Sequence, residues 1–535
     1  MVQAAQGDRP GGVLAAGCAV LALALPWIDP FAGGPTPSVL PWLVSMACAA
    51  WLASIVALRR LPLMQLIGIA WLLAALLNCA AALPQFLGAS PLLAPWVNVT
   101  ELGEAFGNLR QRNQFASLAN IGLAVLLWWT PQHEMPIARA AASPRQDAVR
   151  WWPCAAAGWL AMGNALSASR TGLFQLALLA ALAGMFGTLR NRRARVLLTL
   201  AVLVYVAASA FMPLLIGKPP FGAGAVSRFG VQALDCGSRL VLWRNVLHLI
   251  ELQPWFGWGW GNLSQAHFVT LYPGPRFCAI LDNAHNLPLH LAVSFGIPVA
   301  VLVCGVLAAL VLRARPWRET DDRRRMAWAV LAVIGLHSLL EYPLWYGPFQ
   351  IATVLAIWIL WHGADRSAAV PSGNAAVPHR SAGIPPRPPW CTRAVLAPWV
   401  VALAGLVLAA LAYAAWDYWR ISQIYRPPAQ RAPAYRDDTL QKIAGSRLFA
   451  DQVRFAALTL TSVTPANARE VNQAAHALLA FSPEGRVVAR LIDSALLLGR
   501  TQEAIFYMRR FRAAYPEEYA RWLAAHDAPL PAIDP

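Results

Sequence analysis

Long apolar stretches constrain the fold of this 535-residue chain more than any other feature. A membrane-spanning helix needs about 20 predominantly apolar residues, because each residue advances the helix only slightly across the hydrocarbon core. Stretches of roughly this length occur at residues 13–28, 39–58, 61–82, 115–130, 151–168, 171–189, 196–215, 287–312, 326–341, 344–362 and 394–413. With 58% hydrophobic and 13% charged residues, the composition excludes an ordinary soluble globule. We therefore expect an all-α, polytopic membrane helix bundle of about eleven spans.

The spacing of the stretches predicts a domain organisation. Residues 1–215 and 287–413 form two transmembrane bundles, the second with a Pro-rich cytoplasmic linker at 363–393. A long polar loop, residues 216–286, lies between them, and a polar helical region, residues 414–535, follows. In that region Pro483 precedes Pro516 by 33 residues, close to the tetratricopeptide period of about 34. A tetratricopeptide-like domain and a small helical bundle both fit this region.

Arginine predicts the orientation of the bundle. If the N-terminus is cytoplasmic, the short cytoplasmic connectors are rich in arginine, as the positive-inside rule requires. Their arginines are Arg59, Arg60, Arg139, Arg145, Arg150, Arg190, Arg192, Arg193, Arg195, Arg313, Arg315, Arg318, Arg323, Arg324, Arg325, Arg366, Arg380, Arg387 and Arg393. The net charge of +17 is thus explained by orientation and lipid contact, and we expect no nucleic-acid partner.

The positive-inside rule does not explain several basic residues that are predicted to lie on the outer side. They are Arg110, Arg112, Arg170, Lys218, Arg228, Arg239, Arg244 and Arg276. A guanidinium presents a planar fork of donors that suits phosphate, so several converging forks would hold a diphosphate. Solvated loop arginines or lipid-headgroup contacts are the alternative. Arg170 is the sharpest candidate, because it lies at the membrane boundary between two apolar runs; its alternative is a snorkelling anchor.

The long loop is too extensive for a simple connector, and we interpret it as the lid of an active site. Ser238 is placed to cap a helix that ends before Pro254. From Pro254 to Asn262 glycine alternates with tryptophan, a turn suited either to the headgroup belt or to stacking on sugar rings.

His285 lies just before the apolar run that begins near Leu287, and so at the outer mouth of a helix. Histidine can accept a proton at neutral pH, which makes His285 a candidate general base; a structural histidine in an Asn-rich turn is the alternative. Asp282 would either orient it or cap the helix. Glu341, at the outer end of another span, would pair with an arginine or merely carry a helix-terminus charge.

Together these features resemble a known family. The Arg239–Trp243 helix, the Pro254–Asn262 turn and the His285-Asn286 pair resemble the O-antigen ligase and polymerase superfamily of bacterial inner-membrane glycosyltransferases. Segments 108–116, 169–172 and 341–346 resemble the PglL-type protein O-oligosaccharyltransferases, also called pilin glycosylation ligases. The resemblance extends over residues 60–360.

The resemblance implies a multi-pass enzyme of the bacterial inner membrane, with its active site and C-terminus in the periplasm. It would transfer a preassembled oligosaccharide from an undecaprenyl-diphosphate carrier to Ser or Thr hydroxyls of a pilin-like protein. His285 would act as the base, and Arg170 and Arg239 would hold the diphosphate. Gln114 and Tyr342 would help to bind or position the donor or acceptor. Arg112, one of the outer arginines, and Glu341 are further candidates for substrate binding. No metal or other cofactor is expected, and the sequence has no DxD pair.

Cys236 and Cys278 share the long loop, where an oxidising periplasm would allow a disulfide between them. We predict this bridge.

Alternative functions stay open. The first is an O-antigen ligase or Wzy-type polymerase with a sugar acceptor such as the lipid A core. The second is a membrane transporter, a class that often shows paired repeats with broken helices.

Overall fold

The computed structural model describes residues 10–129, 151–225, 236–367 and 393–526, and its regular structure within these ranges is entirely helical. The all-α class is therefore confirmed. Several predicted features lie outside the described residues: the connector with Arg139, Arg145 and Arg150, Arg228 of the long loop, and residues 368–392 of the Pro-rich linker.

Apolar helices make up the region before the long loop. They are α1 (Pro10–Ile28), α2 (Val39–Leu58), α3 (Leu63–Phe86), α4 (Arg112–Trp128), α5 (Trp152–Leu166), α6 (Arg170–Met185) and α7 (Arg192–Phe211). Helix α4 is buried along nearly its whole length, from Gln114 to Trp128. It therefore lies at the centre of the bundle, and its first two residues, Arg112 and Asn113, are half-buried.

The long loop and the helices after it complete the membrane region. The loop contains α8 (Arg239–Leu252) and α9 (Leu263–Val269); after it come α10 (Leu287–Phe295), α11 (Ile297–Ala314), α12 (Asp322–Ser338), α13 (Gly347–Ser367) and α14 (Arg393–Ile421). Buried side chains of α12 and α13 share one hydrophobic core with α1 to α7. The loop has a separate core, which includes Leu242, Val246 and Leu249 of α8 together with Leu281 and Val293. Because it has its own core, the loop is a folded element and not a simple connector.

The number of membrane spans is smaller than predicted when helices are judged by length and hydropathy. Within the described residues, six segments are long and apolar enough to cross a membrane: Gly11–Ile28, Val39–Leu58, Leu63–Phe86, Arg192–Ile216, Ile297–Arg318 and Val395–Tyr425. Arg170–Met185 and Gly347–His362 are shorter apolar helices. The predicted count of eleven is therefore not confirmed, although every predicted span coincides with α-helix.

One predicted span is broken in the structure. The stretch 287–312 was expected to form a single helix, but Gly296, with φ of +88°, separates α10 from α11. Added atoms on Gly296 would meet the backbone oxygen of Trp255 at 2.1 Å. Only glycine fits this close approach of the 254–262 turn, and its freedom at positive φ permits the break.

The turn is fixed to that break by backbone hydrogen bonds. Trp258 N donates to Val293 O at 2.8 Å, Gly259 N to Ser294 O at 2.9 Å, and Ile297 N to Pro254 O at 2.8 Å. The carbonyls at the end of α10 thus accept hydrogen bonds from the turn. In a continuous helix they would accept them from the next helical turn instead.

The predicted features of the loop itself are present. Ser238 caps α8, since its side chain accepts a hydrogen bond from Val241 N, and the helix ends before Pro254. A disulfide joins Cys236 to Cys278, with a Cα–Cα distance of 5.4 Å. It links the residues before α8 to the segment that leads toward His285.

The C-terminal region is helical, as predicted. It comprises α15 (Thr439–Ile443), α16 (Ala450–Leu460), α17 (Ala468–Phe481), α18 (Gly485–Leu497), α19 (Thr501–Ala514) and α20 (Pro516–Ala524), and each helix from α17 onward packs on the next. A tetratricopeptide repeat is not confirmed.

The long loop docks on this C-terminal domain through residues of α9. Phe268 of α9 is 1% exposed and belongs to the core of the domain, where its ring centre lies 6.5 Å from that of Tyr507 and 6.4 Å from that of Tyr515. Beside it, Arg510 Nε donates to Val269 O at 2.6 Å. The domain is thus attached to the same loop that carries His285.

Replacing Phe268 by alanine should loosen this attachment. We expect a loss of about 3–5 kcal/mol, the usual cost of removing a buried phenyl ring. Thermal unfolding and limited proteolysis of the purified protein would measure it. Phe256→Ala is the matched control, because Phe256 lies in the same loop and is 86% exposed. Equal protease resistance of the two variants would contradict the docking role.

Candidate active site

The carboxylate of Glu341 lies at the centre of a cluster of polar side chains. One oxygen accepts hydrogen bonds from the guanidinium of Arg239 and, at 2.9 Å, from the amide of Asn113. The other contacts His285 Nδ1 at 2.6 Å. Glu341 is only 4% exposed, so its charge is compensated by these partners and not by water.

Asn113 connects this cluster to the start of α6. Its amide oxygen accepts a hydrogen bond from Ser169 Oγ at 2.6 Å, and the same hydroxyl caps α6 by accepting from Gly172 N at 3.0 Å. Arg170 follows directly: burial is the main cause that lowers the pKa of the Arg239 guanidinium, and the nearby charge of Arg170 lowers it further. The structure thus brings Arg170, Arg239 and His285 to one place.

The ring of His285 is positioned by its neighbours in the chain. His285 has φ of +50°, and its backbone N–H donates to Asn283 Oδ1 at 2.8 Å. Asn286 caps α10 by accepting from Leu289 N, and its amide donates to Leu339 O at 2.9 Å. The helix cap is therefore Asn286 and not Asp282, and Glu341 holds the imidazole.

The chemistry of this contact defines the state of the ring. An ionised carboxylate only accepts hydrogen bonds, so His285 Nδ1 must carry the proton toward Glu341. In the neutral ring Nε2 is then the proton-accepting nitrogen, on a side chain that is 19% exposed. A carboxylate bonded to one imidazole nitrogen while the other faces a substrate is an arrangement suited to general-base catalysis.

Electrostatics keep the cluster charged. Burial raises the pKa of Glu341, but the hydrogen bond from His285 and the charge of Arg239 outweigh it, so the net pKa lies below its ordinary value. Burial also lowers the pKa of Arg239, an effect that the Glu341 carboxylate opposes. Because a guanidinium stays protonated in proteins, the pair is ionic at neutral pH.

Tyrosine hydroxyls form one wall of the cluster. The ring of Tyr342 lies edge-on to His285, with ring centres 4.8 Å apart, and stacks on Tyr346, with ring centres 5.9 Å apart. The side chain of Gln114 lies near the Tyr346 hydroxyl, and its amide donates to Gln111 Oε1 at 2.7 Å. Burial raises the pKa of both tyrosines, so these hydroxyls remain protonated hydrogen-bonding groups.

Not every predicted residue joins the cluster. The guanidinium of Arg112 pairs with Glu104. Arg276 donates to the backbone oxygens of Thr270 and His267, and so braces the loop itself. Both arginines are therefore held by contacts within the protein, a role that differs from diphosphate binding and from the solvated or lipid-contacting alternative.

Other side chains of the cluster were missed by sequence reasoning. Asn113 and Ser169 lie in segments 108–116 and 169–172, but the sequence assigned no function to either residue. In the structure they connect Glu341 to α6. Trp243 Nε1 donates to Ala284 O at 3.1 Å and fixes the residue before His285. The one sequence feature that could have pointed to Asn113 is that it is a polar residue at the start of an apolar helix.

A buried layer supports the cluster from below. Ser117 Oγ accepts from Gln175 Nε2 at 2.7 Å and lies 2.9 Å from Nδ1 of His337, which is fully buried. One turn beyond, Glu341 N donates to His337 O at 2.8 Å. Side-chain hydrogen bonds therefore link α4, α6 and α12 beneath the site. Within the described residues, no group of three or more His, Cys, Asp or Glu side chains could hold a metal ion.

Comparison with known proteins gives matches in three parts of the chain. Residues 155–304 match the family model of the O-antigen ligases, and residues 105–129 match that of a protein glycosylation ligase. Residues 325–528 match the C-terminal model of a virulence factor membrane-bound polymerase. A "General O-oligosaccharyltransferase" of Acinetobacter baylyi is 28% identical over 116 residues, which span 21% of this chain and 20% of that relative.

The helical membrane fold and these matches make the chain similar to the O-antigen ligase superfamily of membrane proteins. The glycosylation-ligase match and the oligosaccharyltransferase relative add similarity to the PglL-type ligases, over the parts of the chain given above.

Proposed function

We propose that this protein transfers a preassembled oligosaccharide from an undecaprenyl-diphosphate carrier to Ser or Thr hydroxyls of pilin-like or other periplasmic proteins. The observation that carries this proposal is the cluster in which Glu341 contacts both His285 and Arg239. It combines a base with cations, which are the two kinds of group that such a displacement needs.

In the proposed reaction the acceptor hydroxyl attacks the anomeric carbon of the first sugar. His285 Nε2 takes the hydroxyl proton as the new C–O bond forms. The bond between the anomeric carbon and the phosphate oxygen breaks, and its electron pair leaves with the lipid diphosphate. Glu341 stabilises the imidazolium that results, and the base is restored when the proton is released.

Arg170 and Arg239 would stabilise the charge that develops on the diphosphate. Helix geometry supports this role, because α4, α6, α8 and α10 all begin at residues of the cluster or next to them. The N-terminus of a helix favours anions through its dipole and its unpaired N–H groups. Gln114 and Tyr342 would position the substrates, whereas Arg112, paired with Glu104, would act indirectly through the start of α4.

We assign the site and the C-terminus to the periplasmic side of the bacterial inner membrane. The arginine distribution favours this orientation. The Cys236–Cys278 disulfide supports it, because such bonds persist in oxidising compartments.

A sugar acceptor such as the lipid A core defines the second candidate. The matches to an O-antigen ligase and to a membrane-bound polymerase favour it. The glycosylation-ligase match at residues 105–129 favours a protein acceptor, because this segment contains Asn113 and Gln114 of the cluster.

Co-expression with a pathway for a lipid-linked glycan and with a pilin-like protein would test the proposal. We expect the mass of the pilin to increase by one glycan. Glycan found on the lipid A core, with the pilin unchanged, would select the second candidate. Movement of labelled glycan across the membrane with no transfer would instead identify a transporter.

A further inference from the structure

A row of aromatic rings leads away from His285, and the proposed reaction uses only its first member. The ring centre of Tyr342 lies 4.8 Å from that of His285, and that of Trp345 lies 5.5 Å from Tyr342. Trp260 of the 254–262 turn continues the row, with its ring centre 6.0 Å from that of Trp345. Segments distant in sequence therefore bring aromatic rings together in a row next to the candidate base, with neighbouring ring planes tilted or edge-on to one another.

Packing holds the outer two rings in place. His290 is 5% exposed and lies edge-on between them, 5.5 Å from the ring centres of both Trp260 and Trp345. Phe295 stacks on Trp260 at 5.7 Å, with an angle of 17° between the ring planes. The backbone hydrogen bonds that tie the turn to the end of α10 add to this support. The indoles are thus positioned before any ligand arrives.

These two indoles remain open to the outside. Trp260 is 59% exposed and Trp345 is 39% exposed, although large aromatic side chains are usually mostly buried. The same turn carries Trp255 and Phe256, which are 70% and 86% exposed and lie outside the row. The turn therefore presents two kinds of aromatic residue: Trp255 and Phe256, which suit the headgroup belt, and Trp260, which borders the site together with Trp345 of another segment.

We propose that Trp260 and Trp345 form a stacking platform for the sugar rings of the donor glycan, an inference that rests on the proposed function. The apolar faces of a pyranose stack on aromatic rings, and a few polar groups fix its hydroxyls. Tyr342, Tyr346 and Gln114 supply such polar groups at the inner end of the row. A polyprenyl tail has no hydroxyl groups that could bond to these polar groups, which favours a sugar as the occupant.

The order of the rings follows from the reaction. The first sugar must present its anomeric carbon to the hydroxyl at His285, so it lies beside Tyr342. The following sugars then reach Trp345 and Trp260 in turn. The platform thus selects for glycans longer than one sugar, and its contribution grows with glycan length.

Steady-state kinetics with donors of different length test this order. The donors are polyprenyl diphosphates that carry one or four sugars with the same first sugar, and the acceptor is a pilin-like protein. With the four-sugar donor, we expect Trp260→Ala and Trp345→Ala to raise KM by about three- to tenfold each, the range for loss of one aromatic contact. With the one-sugar donor, the KM of Trp260→Ala should equal that of the unsubstituted protein. Trp260→Phe and Trp345→Phe should recover most of the affinity.

Phe256→Ala and Trp255→Ala are the matched controls on the same turn, and both should leave the KM values for the two donors unchanged. Thermal unfolding of each variant in detergent identifies any variant that is misfolded. Where an alanine variant is misfolded, the KM values of the phenylalanine variant at the same position test the platform instead. Equal KM ratios between the two donors in the alanine variants and the unsubstituted protein would overturn the platform. So would losses that depend on the length of the polyprenyl tail. Failure of the unsubstituted protein to transfer from either donor would reject the proposed function, and the platform with it.

Discussion

His285→Ala should insert and fold as the unsubstituted protein does, yet leave the acceptor without glycan. A positioned general base contributes about 10²–10⁴-fold to rate, and no other described side chain bonded to Glu341 can take its place as base. The pilin-like acceptor's mass after co-expression gives the first measurement, and initial rates with purified protein give the second. We expect kcat to fall by at least about 10²-fold with little change in the KM for donor.

Two further variants make this result specific. His248→Ala is the matched control, since His248 lies in α8 of the same loop, where it contacts the exposed Glu251 at 3.5 Å and packs edge-on against Tyr272, away from Glu341. His285→Asn keeps a polar residue that tolerates the positive φ of this position. Both should fold, but only the first should transfer glycan. Full activity of His285→Ala or His285→Asn would remove the imidazole from the mechanism.

The helices of this protein could be predicted because membrane spans depend on local composition. Every predicted span contains α-helix, since a 20-residue apolar run has no other way to satisfy its backbone in lipid. The break at Gly296 could not be predicted in this way, because hydropathy is continuous across it. Its cause is the backbone of Trp255, a tertiary contact that a local pattern does not contain.

The candidate site was predictable in part for a similar reason. Arg170 and Arg239 stood out because positive charge on the outer side of a membrane protein needs an explanation, and His285 because it precedes an apolar run. Pairing of Glu341 with an arginine was one of two expectations for this residue, and Arg239 confirms it, but the contacts of Glu341 with His285 and Asn113 could not be predicted. Asn113 and Glu341 are 228 residues apart in sequence, and each is an ordinary polar residue at a helix end. The docking of Phe268 in the C-terminal domain was hidden likewise, since a phenylalanine in a loop does not reveal the core to which it belongs.

The behaviour of Glu341 with pH follows from its lowered pKa. A carboxyl whose pKa is lower in the folded state contributes stability that is fully present above its unfolded value and is lost as pH falls through the folded value. The cluster should therefore stay intact from neutral pH to mildly acidic pH. Any loss of activity in that range would arise from another group.

Glu341→Gln should damage both activity and stability. Glutamine keeps the size of the side chain but removes the charge that compensates Arg239 and fixes the proton on His285 Nδ1. Breaking a buried ion pair by removing one partner costs about 3–5 kcal/mol, because the other charge is left uncompensated. Loss of the orienting carboxylate should lower kcat by at least about 10²-fold, in keeping with the effect of losing a base.

Glu104→Gln is the matched control for this variant. Glu104 also pairs with an arginine, Arg112, but the two side chains are 35% and 25% exposed, against 4% for Glu341. Such a pair contributes at most about 1 kcal/mol. Thermal unfolding from pH 7.5 to 5.5 should show a constant deficit for Glu341→Gln and almost none for Glu104→Gln. If Glu341→Gln unfolded and transferred glycan as Glu104→Gln does, Glu341 would be a helix-end charge, and His285 would need another partner to orient it.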